Sequence, residues 1–184
     1  MIEQKATENP YLLWMRNVRD EMKSLPDEEI KAILRNKSLP FSILMCVHSD
    51  FNFGTLIRNA NNFAARKVFY FGEHKRYNRR SALGTYKYTD VTYLPTMEDL
   101  IPLKSRYVFV GVENCGKTVP LKSFDWPKEP ILMLFGEESS GLQSNVIELL
   151  DYCVEIPSLG SVRSLNVGSA SAIVMYDYVS KRGK

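Results

Sequence analysis

The sequence is poor in cysteine and has neither a long apolar run nor a GxG pair, and each shortage removes a class of protein. Its three cysteines, Cys46, Cys115 and Cys153, are widely spaced and form no CxxC pair. A disulfide framework and a zinc site are therefore not expected, and a reduced cytosolic setting is. The longest apolar runs, such as Ile131–Phe135, fall far short of the roughly 20 residues that cross a bilayer. The opening stretch MIEQKATENP is polar and acidic, unlike a secretory leader. Without a GxG a dinucleotide fingerprint is missing, and no internal repeat, low-complexity tract or linker is visible. What is left is a chain of 184 residues, 45% hydrophobic and 24% charged, suited to one soluble domain with a single core.

The net charge of +3 is unevenly spread. Between Glu73 and Tyr88 stand Lys75, Arg76, Arg79, Arg80 and Lys87, opposed only by Glu73, with Tyr77, Tyr86 and Tyr88 interleaved. Basic side chains neutralise phosphates and tyrosine rings stack on unpaired bases, so Lys75, Arg76, Arg79 and Arg80 are candidate RNA contacts. The competing reading is a solvated basic loop.

Residues 10–37 read as one or two helices, the second opening with acids at PDEEIKAILRNK, where Pro26 suits a first turn. FSILMCV, ending at His48 and Ser49, reads as a buried strand. Asn52 is expected to cap a helix running to about Ala64, with a strand following at KVFYF. Thr96 with Asp99 three residues on is a capping pattern for a short helix. RYVFVGV, PILMLFG and YCVEIP read as strands, and SNVIELLD and SLNVGSASAIVMYDYVSK as helices. Strands that are apolar along their whole length are covered on both faces. The fold class is therefore α/β with a mostly parallel sheet. Residues 1–37 are expected to be a helical extension of a domain spanning 38–184.

GVENCGKT, Gly111–Thr118, satisfies the P-loop pattern G-x-x-x-x-G-K-[ST] after a strand. A P-loop works because a helix starts at once and aims its first amides at phosphate. Here Pro120 and Pro127 bound the segment that follows, and Val119, Leu121, Phe124 and Trp126 miss the spacing of a buried helical face. No strand ending in a magnesium-binding Asp comes after. A P-loop NTPase is the weaker alternative.

Three strand ends carry unusual chemistry. In DFNFGTLIRNANNF, Leu56, Ile57, Ala60, Phe63 and Ala64 form an apolar stripe, with Arg58, Asn61 and Asn62 on the other side. In LFGEESSGL, Gly136 and Gly141 bracket Glu137 and Glu138 directly beyond a strand, where a sheet's carboxyl edge binds ligands. In IPSLGSVRSLNVGSASA, Pro157 and Gly160 make a bend before Ser164 and Asn166, which stand at the entrance of a helix that begins with small residues, Gly168–Ala172.

Together these stretches resemble the three motifs of the SpoU/TrmH family of RNA ribose 2′-O-methyltransferases, of the SPOUT superfamily. The first motif matches at Asn52, Gly54 and Arg58. The second matches at Gly136, Glu138, Gly141 and Leu142, and the third at Ile156, Pro157, Gly160 and Ser164 to Val167. The resemblance runs from about Phe41 to the end. It departs at Ala65, where the family usually turns at a glycine and valine, and it leaves residues 1–37 uncovered.

The resemblance implies a C-terminal trefoil knot, a cytoplasmic homodimer and S-adenosylmethionine as cofactor, with no metal. Backbone around Val112, Gly136, Ile156 and Leu165 would contact the cofactor, which also accounts for the P-loop look-alike at its edge. Arg58, Glu138, Ser164 and Asn166 would form the catalytic set. A guanidinium holds its proton too firmly to act as a literal base. Arg58 is therefore assigned to clamping an RNA phosphate and stabilising charge that develops on the ribose 2′-oxygen. Ser164 and Asn166 would orient the ribose and Arg58, and Glu138 would hold Arg58 or the RNA. VRSLNV looks most like the branch that methylates a D-loop guanosine of tRNA. Ribosomal RNA as substrate and a catalytically silent RNA-binding protein stay open as alternatives.

Overall fold

The computed structural model describes residues 16–46, 51–72, 75–114, 116–138 and 140–183. After a 3-10 turn at Asp20–Met22, the chain forms α1 (Asp27–Lys37), β1 (Phe41–Cys46), α2 (Phe51–Asn62), β2 (Val68–Phe71) and β3 (Val91–Leu94). Then come β4 (Val108–Val112), β5 (Val119–Pro120), β6 (Ile131–Phe135), α3 (Ser144–Ile147), β7 (Tyr152–Glu155) and α4 (Val167–Arg182). The strands make one seven-stranded sheet in the order β3-β2-β1-β6-β4-β7-β5, parallel at every pairing.

Alternation along the central strands divides their side chains between two faces. Phe41, Ile43 and Met45 of β1 join Ile131, Met133 and Phe135 of β6 on the face covered by α2 and α4. Leu44 and Cys46 join Leu132, Leu134 and Phe109 on the opposite face, under Leu100, Leu103 and Val146. Every residue of β1 and β6 is buried, which is the physical content of a strand apolar throughout. At about 1.5–3 kcal/mol for each large side chain taken from water, these two strands contribute substantially to stability.

Several sequence expectations change. Asn52 does not cap α2; the helix already includes Phe51, and Asn52 sits in its first turn with its side chain engaged elsewhere. The helix expected over SNVIELLD is only the single turn α3. Thr96 and Asp99 form the anticipated capping box, but Pro102 lies within the helix that follows, which is a 3-10 helix. β3 and β5 are strands the sequence reading passed over. Pro26 immediately precedes α1, at the capping position. Of the helices expected over 10–37, the part before residue 16 lies outside the described residues, as do His48 and Ser49.

A third, small core of Met22, Ile30 and Tyr88 joins this N-terminal region to the sheet domain. The Arg16 guanidinium donates to the carbonyls of Lys23 and Leu25 at 2.9 and 2.7 Å and pairs with Asp27. Arg35 donates to both oxygens of Asp90 at 2.6 and 2.9 Å, and Lys31 approaches the same carboxylate at 3.1 Å. Arg35, seconded by Lys31, holds the Asp90 carboxyl down at about 2.

Candidate active site

Parallel strands present all their carboxyl ends at one edge of the sheet, and there the four neighbours β1, β6, β4 and β7 end in the three motif loops and GVENCGKT. A cleft of about 310 Å³ opens at this edge. Val112, Gly136, Ile156 and Leu165 all line it, together with Glu138 and Ser164. Arg58 does not line it.

The floor of the cleft is shaped by backbone. Residues 137 and 141 exchange both N–H to carbonyl bonds, at 3.1 and 3.0 Å, closing a tight loop against the end of β6. A Cβ on Gly136 would lie 2.1 Å from the carbonyl carbon of Gly141 and 2.3 Å from the nitrogen of Leu142. Only glycine permits that approach. From the end of β4, the Glu113 carboxylate accepts the Leu142 N–H at 2.9 Å and its own neighbour's N–H, that of Asn114, at 2.9 Å. Glu113 was not singled out from sequence. The legible signal was an acid placed directly after a buried strand at the cofactor edge.

Polar side chains from the three motifs meet. Asn52 Nδ2 donates to Glu138 Oε2 at 2.6 Å. Asn166 Nδ2 donates to Asn52 Oδ1 at 2.9 Å and to Glu138 Oε1 at 3.2 Å. Asn166 Oδ1 caps α4, accepting from Gly168 N at 3.0 Å and Ser169 N at 3.3 Å. One asparagine thus starts the last helix and ties it to the other two motifs. Asn52, quoted in its motif but left out of the candidate site, is the third member. Ser164 lies in the loop before α4, exposed at the cleft.

Arg58 projects from α2 into solvent, and among the described residues no hydrogen bond or ion pair engages it. The side chains of Glu138 and Asn166 bond each other and Asn52, and Asn166 Oδ1 takes the first amides of α4, so neither engages Arg58. Lys75, Arg76, Arg79 and Arg80 are exposed as well. They follow β2, and Ser81 and Ala82 just beyond them pack on α2 at Gly54, where a Cβ would fall 2.0 Å from Ser81 Oγ and 2.7 Å from Ala82 N.

The tyrosines interleaved with these cations are engaged within the fold. Tyr88 is buried in the N-terminal core. Tyr77 packs edge-on against Phe53 and Tyr70 with centroids 4.8 and 5.3 Å apart. Tyr86 lies beneath the Arg79 guanidinium at 4.7 Å. Apolar packing has claimed the rings and left the cations outside. Glu73 lies outside the described residues.

GVENCGKT lacks the helix a P-loop needs. Gly111 is buried within β4, and Val119 and Pro120 continue as β5, paired with β7. Thr118 Oγ1 donates to Glu155 Oε2 at 2.6 Å. No cluster of metal-ligating side chains occurs among the described residues. Cys46 is no nucleophile: burial, with the charge of Glu137 nearby, pushes its thiol up to about 12. Among the described residues no helix is long and apolar enough to cross a membrane.

The model of the SpoU rRNA Methylase family matches residues 41–176. The chain is similar to the tRNA (guanosine(18)-2′-O)-methyltransferase TARBP1 of Mus musculus, 37% identical over 76 residues, 41% of this chain and 5% of that one. It is also similar to the tRNA (guanosine(18)-2′-O)-methyltransferase of Aquifex aeolicus, 23% identical over 141 residues, 74% of this chain and 66% of that one. Among solved structures, the SpoU methyltransferase AviRb from Streptomyces viridochromogenes, in complex with the cofactor AdoMet, superposes with a TM-score of 0.71 at 27% identity. That match covers 79% of this chain and 61% of the other. The chain therefore spans a small fraction of the mouse protein and just under two thirds of these bacterial ones.

Proposed function

The chain belongs to the SpoU rRNA methylase family, and on that premise we propose that it methylates a ribose 2′-oxygen of structured RNA, a D-loop guanosine of tRNA above all. The observation that carries the reading is the meeting of Asn52, Glu138 and Asn166 beside a glycine-floored cleft at the sheet's carboxyl edge. The tRNA assignment is supported by the names of the mouse and Aquifex relatives. Ribosomal RNA would use the same chemistry.

The residues present fit S-adenosylmethionine. Gly136 and Gly141 line the cleft without side chains, which suits close approach of a ligand to backbone, and Glu113, Glu137, Glu138 and Glu155, against Arg163 alone, give the cleft an acidic wall suited to a cationic molecule. When bound, the cofactor supplies a methyl group made electrophilic by a sulfonium. Backbone at Val112, Gly136, Ile156 and Leu165 holds and orients it. The loop 136–142, kept closed by Glu113, excludes water from its side of the cleft.

Arg58 and the basic residues Lys75, Arg76, Arg79 and Arg80 bind the RNA from the outer side. Arg58 takes one phosphate with its planar fork and stabilises negative charge growing on the attacking oxygen. Ser164, exposed at the cleft mouth, orients the ribose by hydrogen bonding. Glu138 and Asn166 hold the mouth in register through Asn52. Catalysis in this scheme is positioning plus electrostatic stabilisation, and the proton of the 2′-hydroxyl is released to solvent water at the open mouth of the cleft.

The strand order supports a C-terminal trefoil knot: β6 is inserted between β1 and β4, β7 between β4 and β5, and α4 returns against α2. Exposed Leu159, Val162 and Leu165 before α4, with Ile173 and Tyr176 on it, support a homodimer. Residues 1–37 are an extension whose described part, residues 16–37, buttresses the basic segment through Tyr88 and Asp90, and the setting is cytoplasmic. The reading is tested by incubating the protein with methyl-labelled S-adenosylmethionine and unmodified tRNA. Label should appear in a nuclease-resistant dinucleotide, and its absence from tRNA and ribosomal RNA alike contradicts the reading.

A further inference from the structure

Asn52, Thr55 and Asn59 lie at i, i+3 and i+7, on one face of α2, and that face seats the first turn of α4. Asn52 meets Asn166 there. A Cβ on Gly168 would lie 3.0 Å from the Thr55 methyl. Two turns further along α2, Asn59 Nδ2 donates to Gly168 O at 2.8 Å and to Ser171 Oγ at 2.9 Å. Ser171 is fully buried, and its hydroxyl donates to the same Gly168 carbonyl at 2.7 Å. Gly168 is therefore held from both sides, its N–H by Asn166 Oδ1 and its carbonyl by Asn59 and Ser171.

We propose that Asn59 is a positioning residue for methyl transfer: it locks α2 against α4 and so sets the direction in which the adjacent Arg58 leaves its helix. The inference rests on the methyl-transfer reading, in which Arg58 is the cation that meets the RNA. The buried Phe53, Leu56, Ile57 and Ala60 seat α2 on the sheet, and apolar contacts of that kind resist rolling less sharply than directed hydrogen bonds do. Asn52 and Asn59, about 10 Å apart along the axis, add the two directed ties to α4 that fix the roll. Arg58 has no partner of its own among the described residues, so the attitude of α2 is what aims it. A roll of about 10° carries the end of a long side chain through about 1.5 Å, and displacement on that scale costs about 100-fold in rate where geometry governs.

The test measures methyl transfer and cofactor affinity for wild type, Asn59→Ala, Arg58→Ala and the double variant, with Ser171→Ala as a milder break of the same seam. Asn59→Ala is expected to lower kcat by about 10-fold or more, with the Kd for S-adenosylmethionine and the KM for RNA within about threefold. In the Arg58→Ala background the further loss should vanish, because Asn59 acts through Arg58. Nitrogen-15 spectra supply a readout free of activity: Asn59→Ala should move the Arg58 Nε–H and Asn166 side-chain amide resonances. The proposal is overturned if the two losses multiply, or if cofactor affinity falls in step with the melting temperature. Should wild type methylate no RNA, the methyl-transfer reading fails by itself. The spectra then decide the seam, and unmoved resonances overturn it.

Discussion

Three strand ends, those of β4, β6 and β7, furnish the cleft with backbone groups, and polar side chains beside it hold one another, whereas residues 75–80 offer four exposed cations that follow a single edge-side strand. In the cleft Glu138, Asn52 and Asn166 hold one another, and Glu113 holds the loop. In the basic segment Arg79 is steadied by the rings of Tyr86 and Tyr77. A site assembled from strand ends fixes the shape of a small ligand before it arrives. A row of surface cations recognises only a density of phosphates and leaves shape to the partner. Arg58 stands between the two kinds, carried on the same helix as Asn52 but turned to solvent.

Substitutions that attack one region and spare the other break this comparison most sharply. The largest effect is expected from Gly136→Ala, whose new Cβ meets backbone at 2.1 Å. Calorimetry should show S-adenosylmethionine binding weakened by at least about 100-fold, or about 2.7 kcal/mol, with RNA retention on filters unchanged. Arg58→Ala should do the reverse, lowering kcat by about 100-fold at unaltered cofactor affinity. Arg58→Lys keeps the charge but loses the fork, and turnover near that of wild type would contradict the clamp.

A smaller effect separates the regions by salt. Lys75→Ala, Arg76→Ala and Arg80→Ala should each weaken RNA binding several-fold and lower the slope of log affinity against log salt by about 1. Cofactor affinity should stay level over the same range of salt. A slope unchanged by all three substitutions would remove this segment from the RNA interface.

The smallest effect concerns the N-terminal buttress. The Asp90 carboxyl sits at about 2 in the folded protein against an ordinary 3.8, so its pairing with Arg35 and Lys31 stabilises the fold above about pH 4. That contribution is lost as pH falls from 4 through 2. Discounted for solvent screening it is about 1 kcal/mol. Urea denaturation should find Asp90→Asn less stable than wild type by about that much at pH 7, and the gap should close toward pH 2.

Residues that act through chemistry or burial were legible in the sequence. Unbroken apolar runs announced β1, β4 and β6 because both faces of a parallel sheet are covered, and the glycines of LFGEESSGL announced a close backbone approach. Less was visible where a residue's role depends on what the fold brings beside it. β5 is two residues long and owes its place to pairing with β7. β3 is a half-buried edge strand with little hydrophobic signal. Asn52 had the composition of a helix cap, yet its partners lie 86 and 114 residues away. The contacts of Glu113 with Leu142 and of Asn59 with Gly168 were hidden for the same reason. The interleaved tyrosines misled in the other direction, since an aromatic beside an arginine serves a core as readily as a base.

The most direct measurement of the central claim is transfer of labelled methyl from S-adenosylmethionine into unmodified tRNA and, separately, ribosomal RNA, with each labelled position mapped by its nuclease-resistant dinucleotide. The account predicts label at one ribose of tRNA, in the D-loop, abolished by Gly136→Ala and cut about 100-fold by Arg58→Ala. Label in neither RNA would contradict it.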